Sequence, residues 1–282
     1  MGTRGAKRSF PFRAPHCLLD DSGYDFPSLM SDHSKRILLK FGSGILARRD
    51  GSGLDSGQFA RLTTQVARLV ARGHECLIVT SGAVAAGLGV LGLKERPADL
   101  ASLQACAAVG QSKLMQLYET MFARHELHVA QLLVTHGDID SRTRGANVKL
   151  TLDRLLASGI VPVINENDSV AVEELKFGDN DRLSAEVAML ARADLLILLT
   201  SVDGLMDARG RVVPVVDDVD AVAKLADGSR GKFSVGGMAS KLQAVKAAVE
   251  AGIPTVIANG RKPAQIATIA AGKQAGTRFV AR

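Results

Sequence analysis

Hydrophobic residues from position 36 onward fall into two alternating patterns. One is a short, nearly continuous apolar run, which is typical of a buried strand, and the other is a longer stretch of regularly spaced apolar residues, which is typical of a helix. This alternation predicts an α/β fold in which a mostly parallel sheet is covered by helices on both faces. The predicted strands are 36–41, 76–80, 128–134, 160–164, 194–200, 253–258 and 277–280, and the predicted helices are 56–72, 98–124, 147–157, 183–192, 238–251 and 263–271.

Two segments depart from the alternation. Residues 1–34 mix Pro, Ser, Asp and Arg without apolar periodicity, so we expect a disordered N-terminal extension before a folded part that starts near residue 35. Within this extension, Met30 is an alternative natural start. Between 203 and 216, a turn at 207–210 separates two short extended pieces and predicts a hairpin that projects from the sheet.

Composition narrows the class of protein. With 46% hydrophobic residues in a chain of 282, a sizeable core can be buried, and no apolar run approaches the ~20 residues that span a bilayer. The 3 cysteines form no C-x-x-C pair, which argues against a disulfide framework or zinc ribbon and favours a reducing, cytoplasmic location. The net charge of +6 is scattered and Trp is absent, so neither nucleic acid nor a membrane is an expected partner.

The residues that follow each predicted strand are the candidates for chemistry, because ligands of open α/β sheets bind beyond the carboxyl ends of strands. After the first strand, Lys40-Phe-Gly42-Ser-Gly44 combines a lysine with two glycines that let backbone N–H groups approach an anion. After the second, Thr80-Ser81-Gly is a strand-to-helix junction whose free N–H groups suit a carboxylate or phosphate. Each motif has an ordinary alternative, namely a tight turn with a surface lysine and a simple helix cap.

Two clusters of Asn and Asp follow the fourth predicted strand, at 165–168 and 179–181. Carboxylates and carboxamides at this density suit a charged small ligand or a cation, and two clusters flanking one loop favour function over solvated Asx turns. The spacing does not match an EF-hand, so no dedicated metal site is predicted. A glycine pair at 236–237 leads into a helix with Lys241 in its first turn. A cation there opposes the helix dipole, so we expect a bound anion, with an ordinary surface lysine as the alternative.

Taken in order, these segments resemble the amino acid kinase family, and within it the glutamate 5-kinases, over residues 35–282. Each motif alone is weak, whereas the ordered set is specific. The Asn-Glu-Asn-Asp and Gly-Asp-Asn-Asp pair separates this branch from acetylglutamate, aspartate, carbamate and uridylate kinases. The motifs that carry the resemblance are Lys40-Phe-Gly-Ser-Gly44, Thr80-Ser-Gly-Ala-Val84, Ala108-Val-Gly-Gln111, Asn165-Glu-Asn-Asp168, Gly178-Asp-Asn-Asp181 and Gly236-Gly-Met-Ala-Ser-Lys241.

The resemblance implies a three-layer αβα sandwich with a mostly parallel eight-stranded sheet, forming one kinase domain that binds glutamate over its N-terminal half and ATP over its C-terminal half. It implies ATP-dependent phosphorylation of the γ-carboxylate of L-glutamate to γ-glutamyl phosphate, the first step of proline biosynthesis. Mg²⁺ is the implied cofactor, proline the implied feedback inhibitor, and a homo-oligomer the implied assembly. By motif position, the catalytic residues are Lys40, Lys241 and Asp181, the glutamate-binding residues are Ser81, Asp168 and Asn180, and the ATP-binding residues are Lys40, Gly42, Gly44, Thr200, Ser201, Val235, Gly236, Gly237, Met238, Ala239, Ser240 and Lys241.

The chain departs from the family pattern at two positions and in length. Ser201 stands where many members have Asp, and Val235 replaces a common Thr, so the nucleotide contacts there are open. Many bacterial members continue into a PUA domain, and we expect a short form without one.

Two competing hypotheses are a uridylate or acetylglutamate kinase on the same fold and a non-catalytic anion-binding protein. A phosphate-accepting kinase is expected to have arginines near its substrate loop, whereas residues 165–181 contain Lys176 as their only base. Retention of both lysines and of Asp181 argues against a non-catalytic protein.

Overall fold

The computed structural model describes residues 34–50, 53–171, 180–222 and 237–281. The described strands are β1 (Arg36–Phe41), β2 (Glu75–Thr80), β3 (Val129–Val134), β4 (Val161–Glu166), β5 (Leu195–Thr200), β6 (Val215–Val216), β7 (Thr255–Asn259) and β8 (Thr277–Phe279). The described helices are α1 (Ser43–Leu46), α2 (Ser56–Val70), α3 (Ala83–Leu91), α4 (Leu100–Ala123), α5 (His136–Asp140), α6 (Arg142–Ala157), α7 (Asn180–Ala191), α8 (Gly237–Glu250) and α9 (Gln265–Ala270). In these residues the strands form one eight-stranded sheet in the order β3-β4-β2-β1-β5-β7-β8-β6.

Helices cover both faces of this sheet. Neighbouring strands run parallel except β7 and β8, which are antiparallel. Ile37, Leu39 and Phe41 of β1 pack with α2, α4 and α9 on one face, and Leu38 packs with α6, α7 and α8 on the other. A strand buried on both faces must be apolar throughout, which explains the continuous runs in the sequence. The arrangement confirms the predicted αβα class.

Most predicted elements are present, and the differences have local causes. The hairpin predicted at 203–216 is confirmed by an antiparallel bridge between Met206 and Val212, and its end joins the sheet as β6. Helix α6 starts at Arg142 rather than at 147 because the side chain of Ser141 caps it. The short helices α1 and α5 were not predicted, and α3 was indicated only by the strand-to-helix junction at Thr80-Ser81-Gly82, since none of the three has a long apolar stripe. The predicted N-terminal extension covers residues 1–34, and residues 1–33 lie outside the part of the chain that the structure describes. Among the described helices, none combines the length and the apolar character needed to cross a membrane.

Helix α3 is defined by close packing against α4. A Cβ on Gly110 of α4 would lie 1.8 Å from the carbonyl oxygen of Ala83, and a Cβ on Gly87 would lie 1.9 Å from that of Cys106. Only glycine fits at these two positions, because backbone atoms cannot yield as a flexible side chain can. Gly82 precedes α3 with a φ of 105°. The crossing of α3 and α4 therefore holds the loop between β2 and α3 in place.

The carboxyl ends of four strands lie side by side at one edge of the sheet. Phe41 at the end of β1 is in register with Thr80 of β2 and with Leu199 of β5, and Val79 of β2 is in register with Ile164 of β4. The loops that follow β1, β2, β4 and β5 consequently meet at this edge, as expected for a ligand site in an open α/β sheet.

Candidate active site

A buried cluster of three charges lies where β1, α7 and α8 meet. Asp181, in the first turn of α7, is 1% exposed. Its Oδ1 lies 2.6 Å from Nζ of Lys40, at the end of β1, and its Oδ2 lies 2.8 Å from Nζ of Lys241, near the start of α8. Lys241 also donates to the carbonyl oxygen of Gly237 at 2.8 Å. The structure thus brings together the three residues that the sequence analysis predicted to be catalytic.

This cluster carries an excess of positive charge. Burial by itself raises the pKa of Asp181, but Lys40 and Lys241 outweigh burial and hold that pKa below its ordinary value. The carboxylate is therefore ionised at neutral pH. Two ammonium groups facing one carboxylate leave one net positive charge in a place shielded from water. Such a place stabilises an anion that binds beside it.

A network of amide groups starts at the residue before Asp181. Asn180 Nδ2 donates to the carbonyl oxygen of Thr80 at 2.6 Å, to Oγ of Ser81 at 3.1 Å and to Oδ1 of Asn165 at 2.9 Å. Its two amide hydrogens are shared among these three acceptors. The structure therefore places the predicted substrate residues Ser81 and Asn180 in direct contact, beside the charged cluster.

Three further residues of this network were not assigned a catalytic or binding role from the sequence, although Asn165 belongs to the polar cluster at 165–168 that was marked as functional. Asn165 Nδ2 donates to Oε1 of Gln111 at 2.9 Å, while Nε2 of Gln111 is buried and has no hydrogen-bond partner within the described residues. Tyr118, fully buried, is hydrogen-bonded to Oγ1 of Thr80 at 2.7 Å. The position of Asn165 directly after an apolar run was a usable signal. Gln111 ends the motif Ala108-Val-Gly-Gln111, which carried the family resemblance but was given no role. Tyr118 gave no signal, because it lies within the helical pattern of α4.

Asp168, the third predicted substrate residue, is a buried carboxyl in the turn after β4. It is 8% exposed, and burial raises its pKa to about 6, although the positive charge of Arg96 opposes this change. Its Oδ1 accepts no hydrogen bond from the part of the chain that the structure describes. An ionised carboxylate in such a position is costly until a cation approaches it. Asp168 is therefore suited to binding a cationic group.

The glycine loop after β1 leaves room beside the ammonium of Lys40. A Cβ on Gly42 would lie 3.6 Å from Nζ of Lys40, and a Cβ on Gly44 would lie 3.6 Å from Oγ of Ser201. These are ordinary contact distances, so internal packing does not require glycine at either position. Arg261 fixes the loop by donating from Nη2 to the carbonyl oxygen of Gly44 at 2.9 Å. The bare backbone suits the close approach of a ligand.

Thr200 and Ser201 end β5 beside a polar group that the sequence analysis missed. Asn259, at the end of β7, donates from Nδ2 to Oδ1 of Asp203 at 2.8 Å and to the carbonyl oxygen of Ser201 at 3.4 Å. Nζ of Lys262 lies 2.8 Å from Oδ2 of Asp203. These contacts connect the loop after β5 to the loop after β7. No motif marks them, and the position of Asn259 at a strand end was the only signal.

The predicted nucleotide segment is described in part. Gly237, Met238, Ala239 and Ser240 form the first turn of α8 and Lys241 follows them, whereas Val235 and Gly236 lie outside the described residues. The N–H groups of a first helical turn have no intrahelical partners and favour an anion. The described part of the segment therefore fits the predicted contact with phosphate.

Known proteins resemble this chain over most of its length. A model of the amino acid kinase family matches residues 35–259. Proteins named glutamate 5-kinase from Geobacter sp. (strain M21) and Pelobacter propionicus are 47% and 44% identical to this chain over 253 residues, which cover 87% of this chain and 68% of each relative. The glutamate 5-kinase of Symbiobacterium thermophilum is 45% identical over 253 residues, covering 88% of this chain and 96% of that relative.

A solved structure shares the fold at low sequence identity. The N-acetylglutamate synthase from Neisseria gonorrhoeae, complexed with coenzyme A and L-arginine, is 14% identical with a TM-score of 0.61, covering 88% of this chain and 62% of that one. At this identity the likeness concerns the fold alone. The family model and the identities to the relatives agree with the motifs gathered at the sheet edge. The chain belongs to the amino acid kinase family, in the group formed by the glutamate 5-kinases.

Proposed function

We propose that this protein transfers the γ-phosphoryl group of ATP to the γ-carboxylate of L-glutamate, forming γ-glutamyl phosphate as the first step of proline biosynthesis. The observation that carries the proposal is the buried cluster in which Asp181 bridges Lys40 and Lys241. The glycine loop continues from Lys40, and the amide network continues from Asn180. The names of the relatives support the same activity.

The reaction explains why lysines dominate the site. A glutamate side chain, with an ordinary pKa of about 4.3, is ionised at neutral pH and needs no general base. One of its oxygens attacks the γ-phosphorus, and the new P–O bond forms as the bond to the bridging oxygen of ADP breaks. The main obstacle is repulsion between the carboxylate and the triphosphate. Lys40 and Lys241 offset this repulsion and stabilise the charge on the transferred group, while Asp181 keeps both ammonium groups in place.

On the substrate side, each described group matches a part of glutamate. Asp168 pairs with the α-ammonium, because its buried carboxylate lacks a hydrogen-bond partner at Oδ1 among the described residues. Ser81 and Asn180 present a hydroxyl and an amide for the carboxylates. Nε2 of Gln111, buried and unbonded within the described part of the chain, is a further donor at this end of the network.

On the nucleotide side, the open loop at Gly42 and Gly44, the strand end at Thr200 and Ser201, and the first turn of α8 contact ATP. Within the described residues, no group of three His, Cys, Asp or Glu side chains is arranged to hold a metal ion. The phosphates of the nucleotide would supply most of the oxygen ligands of a bound Mg²⁺ ion. When bound, Mg²⁺ neutralises charge on the β- and γ-phosphate oxygens.

The experiment that tests the proposal is trapping of the product. The acyl phosphate reacts with hydroxylamine to give a hydroxamate that is measured by its colour with ferric ion. We expect hydroxamate from glutamate that depends on ATP and Mg²⁺, and none from acetylglutamate or aspartate. Phosphorylation of acetylglutamate or UMP with glutamate inert would contradict the proposal, and binding of ATP without turnover on any acceptor would favour a non-catalytic protein.

The resemblance to the family also supports three properties of the enzyme as a whole. We propose feedback inhibition by proline, a homo-oligomeric assembly and a cytoplasmic location. Hydroxamate formation titrated with proline and the mass of the purified protein in solution test the first two.

A further inference from the structure

His136 lies between two buried glutamates next to the candidate site. It is the first residue of α5, which follows edge strand β3. Its Nδ1 lies 2.6 Å from Oε2 of Glu186, and its Nε2 lies 3.6 Å from Oε2 of Glu166. The side chains of His136 and Glu186 are 11% and 12% exposed, and that of Glu166 is 0% exposed. The ring therefore bridges two carboxylates in a place with little access to water.

The two carboxylates belong to the two elements that carry the amide network. Glu166 is the last residue of β4, and its backbone N–H donates to Oδ1 of Asn165 at 3.0 Å. The same oxygen accepts from Nδ2 of Asn180 at 2.9 Å. Glu186 lies on α7, the helix that begins at Asn180. His136 thus connects the end of β4 to α7.

The described charges that act on the ring favour a protonated imidazole. The charged groups that act on His136 are Glu166 from β4 and Glu186 and Arg182 from α7, and Arg182 pairs with Glu186 at 2.7 Å. On its own helix, Asp138 is instead held by Thr135 and by Arg144 of α6. A neutral His136 would leave two acidic groups facing one arginine, and the arginine side chain is 56% exposed. Repulsion between the glutamates would then act at the junction of β4 and α7.

The surroundings favour the charged ring. The hydrogen bond with Glu186 raises the pKa of His136, burial opposes this, and the charges of Glu186 and Glu166 raise it further, so the pKa lies above its ordinary value. The arrangement does not resemble a metal site, because the two ring nitrogens face different carboxylates. No described group of three such side chains is arranged to hold an ion.

We infer that the imidazolium of His136 is a positioning residue that holds β4 and α7 together, so that Asn165 and Asn180 are arranged for glutamate before it binds. This inference rests on the proposed function, since it concerns the affinity for that substrate. It predicts that the KM for glutamate depends on the charge of His136, although His136 does not contact the substrate, and that the KM for ATP does not.

Three variants test the inference. His136→Gln keeps a hydrogen-bonding group without the charge, and His136→Arg keeps the charge at every pH. His125→Gln is the matched control, since that ring contacts Thr64 of α2 and neither β4 nor α7. The KM values for glutamate and ATP are measured from about pH 6 to about pH 9, and the ratio of variant to wild type is taken at each pH. This ratio isolates His136, because Asp168 titrates in all of these proteins.

For His136→Gln we expect a glutamate KM about tenfold above wild type near pH 6, the loss expected for one charge-assisted hydrogen bond. Because the pKa of His136 is raised, the wild-type advantage is complete below the ordinary value and declines as the pH rises through the raised value. The ratio should therefore fall toward one as the pH rises through that raised value. His136→Arg should keep a ratio within about threefold that does not depend on pH, and the KM for ATP should stay within about twofold in every variant.

The measurements distinguish a failure of the inference from a failure of the proposed function. A His136→Gln variant with wild-type KM for glutamate at all pH values would overturn the inference and leave the proposed function intact. Equal loss of kcat, of both KM values and of melting temperature in His136→Gln and His136→Arg would show a merely structural residue. If His136→Gln does not fold, the wild-type protein is compared with His136→Arg instead. The inference is then overturned if the KM for glutamate depends on pH in the same way in both proteins. A wild-type protein that makes no hydroxamate from glutamate would refute the proposed function, and the inference would fall with it.

Discussion

Replacing Asp168 with Asn should make the protein more stable and less able to bind glutamate. Asn keeps the shape of the side chain and removes its charge. Raising the pKa of this carboxyl from 3.8 to about 6 corresponds to about 3 kcal/mol of destabilisation of its ionised form. A buried amide that lacks a partner costs about 1–2 kcal/mol. We therefore expect Asp168→Asn to raise the free energy of unfolding by about 1–2 kcal/mol at pH 8.

The dependence of this effect on pH gives it a specific signature. Because the pKa of Asp168 is raised on folding, the folded protein binds the proton more tightly than the unfolded chain between pH 3.8 and about 6. The contribution of Asp168 to stability therefore falls as the pH rises through that interval and is constant above it. The stability gained by Asp168→Asn should be complete above about pH 7 and should turn into a loss of about 1–2 kcal/mol near pH 4, where only the cost of the buried amide remains.

With saturating glutamate, wild type should become more stable to unfolding than Asp168→Asn. In the proposed complex, the α-ammonium supplies the cation that the buried carboxylate lacks, and loss of this charge-assisted hydrogen bond costs about 1.5–3 kcal/mol, or about 10- to 150-fold in the KM for glutamate. The KM for ATP should stay within about twofold. For wild type, the KM for glutamate should also fall as the pH rises through about 6, where Asp168 ionises.

The assay combines urea unfolding at pH 4.5 and pH 8, with and without saturating glutamate, and steady-state kinetics of hydroxamate formation. If Asp168 only caps a turn, its replacement lowers stability at both pH values and leaves the KM for glutamate unchanged. That combination would refute the reasoning. A variant that is more stable but binds glutamate normally would show that the carboxylate is strained for a reason other than the substrate.

The remaining predictions concern the lysines and the helix crossing. Lys40→Met and Lys241→Met should each lower kcat by about 10²-fold or more in folded protein, because each removes a positive charge that stabilises the transferred phosphoryl group. The control Lys149→Met on α6 should leave kcat unchanged, and a wild-type kcat in either site variant would show that its lysine has only a structural role. Gly110→Ala should lower the free energy of unfolding by about 1–3 kcal/mol and raise the KM for glutamate, since a Cβ there would clash with the backbone of α3. The control Gly57→Ala in α2 should cause neither change, because the nearest atom to its Cβ would be 3.5 Å away. Thermal unfolding and glutamate titration measure both variants, and an unaffected Gly110→Ala would show that the crossing can relax.

The hydrophobic pattern determined the class of the fold because strands buried on both faces must be apolar along their whole length. Polar residues at the ends of those runs marked Lys40, Asn165 and Asp168 as candidates, since a parallel sheet directs its strand ends to one edge. Helix α3 has no apolar stripe, and its packing against α4 depends on glycines whose partners lie on another element.

Tertiary structure alone decided which groups act on one another. Lys40, Asp181 and Lys241 are distant in sequence, and it is the crossover of helices between parallel strands that brings their charges to within 2.6–2.8 Å. The contact between His136 and the two glutamates arises in the same way, and no pattern in the sequence around His136 indicated it. Burial sets the pKa of Asp168 and the balance of charge at Asp181, and burial is a property of the whole packed chain. Local sequence restricts the backbone and sorts polar from apolar positions, whereas electrostatic interactions depend on distance and solvent exclusion, which exist only once the chain has folded.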